Sequence, residues 1–170
     1  MKSRLNPLTK MAALLTATMM LLLSTACSSN KNKDLEVDTY LNTSSTINPD
    51  ISGESRPVNL SIFYLTDVSN FTKAGFYDLY SKPEQTLGDQ LLKVTRLQAQ
   101  ADEDKEIELD APPETKAIAV IAAFRDVDQA KWGDHVLTPE KCFMGCKPGL
   151  KGEELVIEVK RLSVDIALKD

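Results

Sequence analysis

The chain has 170 residues, 42% of them hydrophobic and 26% charged, which suffices for one packed core and argues against general disorder. The first 26 residues hold Lys2, Arg4 and Lys10 and no acid, so the rest carries 17 basic against 25 acidic side chains. An acidic body without a Lys/Arg stripe among aromatics repels phosphate backbones, which argues against nucleic-acid binding.

The N-terminus has the three parts of a secretory signal. A basic region ends near Lys10, an apolar run follows from Met11 to Leu23, and small residues Ser24, Thr25 and Ala26 precede Cys27. The thirteen residues of that run fall short of the roughly 20 that a membrane-crossing helix needs. An ordinary cleaved signal has no use for the cysteine. A bacterial lipoprotein signal does, because Cys27 then becomes the new N-terminus and carries the lipid, palmitate included. The stretch resembles such a lipobox with one departure, since the usual leucine stands at Leu23 and position −3 is Ser24. This divides the chain into a signal peptide (1–26), a lipidated Cys27 with a polar tether (27–34), and a body (35–170). Plain secretion and an uncleaved anchor are the alternatives. Ser28 after the cysteine, where an Asp is absent, implies by analogy sorting to the outer membrane. The seven tether residues from Ser28 to Asp34 reach roughly 25 Å at most.

The body reads mainly as strands. In "LEVDTYL", Leu35, Val37, Thr39 and Leu41 alternate with Glu36, Asp38 and Tyr40, the period-two pattern of a half-buried strand. A segment rich in turn formers and hydroxyls follows. It comprises Asn42, Asn48, Pro49, Asp50 and Gly53; Thr43, Ser44, Ser45, Thr46, Ser52 and Ser55; Ile47 and Ile51; and Glu54 and Arg56. A structureless loop of this length is uncommon in a compact domain and is usually either functional or mobile. "VNLSIFYL" then predicts a second half-buried strand with Val58, Leu60, Ile62 and Tyr64 on one face.

From Asn70 to Leu92 the spacing turns helical. Phe76, Leu79 and Tyr80 share one face, Leu87 and Leu91 repeat four apart, and Ser81 with Glu84 and Pro83 reads as a capping box that starts a second helix. "ADEDKE" reads as a solvated turn, and "KEIELD" as a strand with Ile107 and Leu109 inward. "KAIAVIAAF" is apolar on both faces, as in a covered central strand. In the C-terminal stretch Leu155, Ile157 and Val159 keep one parity and Leu162, Val164, Ile166 and Leu168 the other. A bulge or tight hairpin must therefore sit at Lys160-Arg161.

Candidate chemistry is sparse. No phosphate loop, nucleophile elbow or zinc-protease motif is present. In "FRDVDQAKW", Asp126 and Asp128 could ligate a cation or act as paired carboxylates, with Arg125 as an ion-pair partner. Structurally, an Asp there would cap a short helical turn after Phe124, and Trp132 would pack the far side. His135 beside Asp134 could form a catalytic pair, but adjacent strand residues face opposite ways, so a half-exposed loop histidine is the plainer account. With Cys27 acylated, Cys142 and Cys146 are the thiols left to form a disulfide. A straight strand would hold their Cα atoms about 13 Å apart, beyond bridging distance, so the segment must curl. A zinc site there has only His135 as a further ligand nearby, too few for four-coordination.

Together these features resemble one family, the TssJ outer-membrane lipoprotein of type VI secretion systems. The elements that carry it are the lipoprotein signal, "RPVNLSIFYL", "FYDLYSKPEQTLGDQLL", "IAVIAAFRDVDQAKW" and "LVIEVKRLSVDIAL", in that order over most of residues 56–168. "AAFRDVDQAKW" is the most specific of them. The resemblance implies a mainly β, transthyretin-like two-sheet sandwich with a short two-helix insertion, anchored on the periplasmic face of the outer membrane of a Gram-negative bacterium. It implies no enzyme activity and no cofactor. The expected partner is the periplasmic C-terminal domain of the inner-membrane protein TssM, with other membrane-complex subunits possible. The contact it implies is the loop Asn42–Arg56, and "RDVDQAKW" becomes a fold signature. The competing readings are a periplasmic module for a small molecule or cell-wall component and an enzyme using Asp126, Asp128 or His135.

Overall fold

The computed structural model describes residues 34–142, 146–148, 150 and 153–169; the signal region, Cys27 and all but the last tether residue lie outside them. In chain order the strands are β1 (Leu35–Thr43), β2 (Val58–Leu65), β3 (Leu91–Ala99), β4 (Asp104–Ala111), β5 (Ala117–Ala122), β6 (Gly133–Leu137), β7 (Glu140–Cys142), β8 (Cys146–Pro148), β9 (Glu154–Lys160) and β10 (Ser163–Lys169). Two short helices, α1 (Phe76–Ser81) and α2 (Pro83–Leu87), are flanked by single 3₁₀ turns at Phe71–Lys73 and Gly88–Gln90.

Two four-stranded sheets form, ordered β10-β9-β1-β4 and β3-β2-β5-β6, with β7 and β8 as a separate ribbon. Among the described residues the strand–strand pairings are antiparallel except β1 with β9. The expected two-sheet sandwich with a two-helix insertion is thus the observed architecture. Alternation places the inner faces together: Val37 and Leu41 of β1, Leu60, Ile62 and Tyr64 of β2, Ile118 and Val120 of β5, and Ile157 and Val164 all belong to one buried cluster. Each fully buried side chain of this size contributes about 1.5–3 kcal/mol of transfer free energy. The parity change at the C-terminus is a tight hairpin, with Lys160 opposite Ser163 and Arg161-Leu162 as its turn.

Several expectations change in the structure. Strand β2 is not half-buried: Phe63 and Leu65 on its other face pack with Phe71, Leu79 and Leu87 of the helical insertion and with Ala119 and Ile121 of β5. The insertion is therefore a lid over the outer face of the second sheet, and it makes β2 and β5 doubly covered strands. The capping box does not form. Ser81 ends α1, and its hydroxyl donates to the carbonyl of Tyr77. Lys82 takes the N-cap of α2, with no side-chain cap bond, because Pro83 drives the residue before it out of the helical region (φ −140°, ψ 48°). Leu91 begins β3 and lies outside the helix. In "ADEDKE" only Ala101-Asp102 is turn, and Asp104 to Glu106 already belong to β4.

Candidate functional site

The segment after β1 is long and irregular yet tightly held. Asn42 and Thr43 still pair within β1, so the loop proper runs from Ser44 to Pro57, two residues later at its start than the sequence suggests. Two of its residues face inward. Ile47 is fully buried and joins the main core, and Asn48 is 3% exposed. Ile47 and Asn48 thus tie the middle of the loop to the domain.

Asn48 organises the neighbourhood. It adopts φ 43°, the left-handed region that asparagine tolerates better than most side chains. Its backbone N–H donates to the Arg161 carbonyl at 2.9 Å. Its side-chain Nδ2 donates to the Pro57 carbonyl at 2.8 Å, and its Oδ1 accepts the Arg125 N–H at 2.8 Å. One buried residue thus joins the loop to its own exit and to the start of "RDVDQAKW" through its side chain, and to the β9–β10 turn through its backbone N–H.

Beyond Asn48 the chain makes a compact turn. Asp50 Oδ1 accepts the N–H groups of Ser52 and Glu54, and Gly53 supplies φ 84°. Asp50 Oδ2 accepts from Arg56 Nε at 2.9 Å. The Arg56 guanidinium holds the Asp50 carboxyl below the usual carboxylate range; partial desolvation opposes this, and the two N–H groups assist it. At the tip Ile51 is fully exposed (101%). Pro49, Asp50 and Ile51 form one wall of an open groove of about 360 Å³, whose other walls are Arg125, Asp126, Arg161 and Leu162.

"RDVDQAKW" is structural at both ends. Lys131 N–H donates to the Leu162 carbonyl, and the Lys131 carbonyl accepts from Val164, bridging to the β9–β10 hairpin. Its ammonium pairs with Asp165 and Asp134 and is held above the ordinary lysine range by Asp165 first, against desolvation, with Asp134 adding to it. Trp132 packs edge-on to Phe76 with centroids 5.7 Å apart, as expected for packing on the far side. Residues 127–129 form a single turn, with the Ala130 N–H donating to the Val127 carbonyl, between bends and not in a helix; the expected Asp cap is absent among the described residues. Arg125 makes no ion pair with Asp126, Asp128 or any other acid among the described residues. His135 lies within β6 and not in a loop, its ring 6.1 Å from that of Phe71. Asp134 instead accepts from Lys131 and from the Ile166 N–H. Among the described residues no three His, Cys, Asp or Glu side chains converge as a metal site. Backbone pairing sets Cys142 directly opposite Cys146 across the β7–β8 ribbon, so the curl required of this segment is a β-hairpin register.

The sandwich and its anchored loop define a mainly β domain with a short helical insertion; among the described residues no helix is long and apolar enough to cross a bilayer. A family model described as the type VI secretion lipoprotein (VasD, EvfM, TssJ) matches residues 35–162, and the chain belongs to that family. Solved structures with the same fold include the T6SS lipoprotein TssJ1 from Pseudomonas aeruginosa. That match has 23% identity and a TM-score of 0.69, covering 81% of this chain and 98% of the other. Serratia marcescens Lip, a membrane-bound component of the type VI secretion system, matches at 15% identity and TM-score 0.65, over 78% and 96% of the two chains. A chain of the structure described as the T6SS protein TssM C-terminal domain from EAEC matches at 16% identity and TM-score 0.59, over 78% and 97%. A comparison with curated proteins found no match.

Proposed function

We propose that this chain is the lipid-anchored, non-enzymatic assembly component of a type VI secretion envelope complex. In this reading Cys27 holds it to the periplasmic face of the outer membrane, and the Asn42–Arg56 segment binds the periplasmic C-terminal region of TssM. The observation that carries the loop assignment is Ile51, a fully exposed apolar side chain on a turn fixed by Asp50 and backed by a buried Asn48. An exposed aliphatic group on a rigid support loses little entropy on binding and suits a protein contact better than a loop that must first order. Family membership and the occurrence of this fold in a structure that names TssM support the partner.

The test is binding of the full-length protein in detergent to the cognate TssM periplasmic region. Replacing residues 49–54 by a Gly/Ser linker should abolish binding, and unchanged affinity would overturn the loop assignment. For the anchor, Cys27→Ala should yield a folded protein that no longer partitions with membranes. Persistent partitioning would count against lipidation.

A further inference from the structure

We propose that the loop tip, Arg125 and Arg161 form one composite docking surface. It takes a partner segment with an apolar side chain flanked by carboxylates. This deepens the assignment above and rests on it.

The first argument is rigidity. The backbones of Arg125 and Arg161 are both hydrogen-bonded to Asn48, one through its side chain and one through its N–H. The backbone at each arginine is therefore tied to the loop that carries Ile51, although the two lie 77 and 113 residues away in sequence from Asn48. They line the groove with Pro49, Ile51 and Leu162; of its two carboxylates Asp50 is neutralised by Arg56, and Asp126 stands next to Arg125 in the chain.

The second argument is unspent charge. Both arginines are exposed, and neither guanidinium is paired with an acid among the described residues. Arg56, by contrast, is committed to Asp50 and maintains the turn. A planar guanidinium offers a two-pronged donor set that matches a carboxylate.

The third argument is contrast with the rest of the surface. On the outer face of the first sheet the β1–β4 register sets Glu36 opposite Asp110 and Asp38 opposite Glu108. Like charges directly opposite are unfavourable, and they make that face a negative field. The field is strong enough that Glu106, then Glu154, push the Tyr40 hydroxyl above its ordinary range. An acidic partner segment is repelled there and drawn to the arginine end, which steers its approach and fixes its orientation.

The experiment measures binding of the full-length protein in detergent to the TssM periplasmic region across a salt series. Wild type should weaken as salt rises. An R125E/R161E variant should bind at least tenfold more weakly with a flattened salt slope, and R125Q/R161Q should fall between. R125K/R161K should keep the salt slope but lose part of the affinity, because an ammonium cannot reproduce the two-pronged contact. The Asn48 bonds use only backbone atoms of the two arginines, so these variants should melt like wild type. Should R125E/R161E misfold, the neutral glutamine pair decides the question. Wild-type affinity and salt slope in the folded charge variants, with binding still lost on loop replacement, would overturn this proposal and leave the loop contact standing. Unchanged binding on loop replacement, or no binding by wild type, would overturn the underlying assignment and this proposal with it.

Discussion

The Asn48 side chain accepts the backbone N–H of Arg125 at 2.8 Å, joining the loop after β1 to the turn after β5. Asn48→Ala would leave that N–H and the Pro57 carbonyl without their partner and force alanine into φ 43°. The expected cost is about 2–4 kcal/mol, from two lost partners and the left-handed backbone. Asn48→Gly should recover about 1 kcal/mol, since glycine accepts that conformation. Urea unfolding of both variants measures this, and a loss below about 1 kcal/mol for alanine would mean the clamp is not structural.

The two isoleucines of the loop should separate stability from binding. Ile47 is fully buried in the main core, so Ile47→Ala should cost about 2–5 kcal/mol. Ile51 touches solvent, so Ile51→Ala should change stability by less than about 0.5 kcal/mol. It should nonetheless weaken TssM binding tenfold or more. Melting curves and binding isotherms of the pair report both effects, and normal binding by Ile51→Ala would remove Ile51 as the anchor.

The loop turn should respond to acid in one direction only. The Asp50 carboxyl is depressed in the folded state, chiefly by Arg56, relative to about 3.9 in an unfolded chain. Its contribution is therefore complete above the unfolded value and is lost as pH falls through the folded one. The amide NMR shift of Ser52 should stay constant near neutrality and move only once the pH falls below the ordinary aspartate range. Asp50→Asn should abolish that step, and a transition near neutrality in wild type would contradict the assignment.

Cys142 and Cys146 are opposed residues of an antiparallel pair, where Cα atoms lie about 4.5–5.5 Å apart, within bridging distance. We propose that they pair once the chain reaches an oxidising compartment. Mass spectrometry after alkylation of the unreduced, denatured protein should find both blocked from the reagent. So small a loop gives at most about 2 kcal/mol, so Cys142→Ser should leave the domain folded. Full labelling of both thiols in protein from the native compartment would refute the bridge.

How much of this could be read from the sequence follows from what each element depends on. β1, β4 and the C-terminal hairpin show plain alternation because one face of each meets solvent. β3 and β6 gave no such signal: they are edge strands, and most of their residues are half-buried on both sides. The capping box failed because Pro83 constrains Lys82 more strongly than Ser81 can cap. The loop was visible as an anomaly of length and composition. Its meeting with Arg125 and Arg161 was not, because that depends on sheet order, which brings together segments far apart in sequence. The one hint was an asparagine among turn formers, a residue suited to the left-handed backbone that Asn48 adopts.

The position of β1 has a mechanical consequence. It enters the domain at Leu35 and delivers the loop at its far end, about 30 Å away for nine extended residues. If the chain is tethered upstream and gripped at the loop, tension runs along this one strand. β1 is interior to its sheet, registered with β4 over eight residues and with β9 over five. A pull along its axis loads both ladders in shear, all bonds at once, instead of peeling them one at a time. The most direct line of force through the domain is thus also the one best built to resist it.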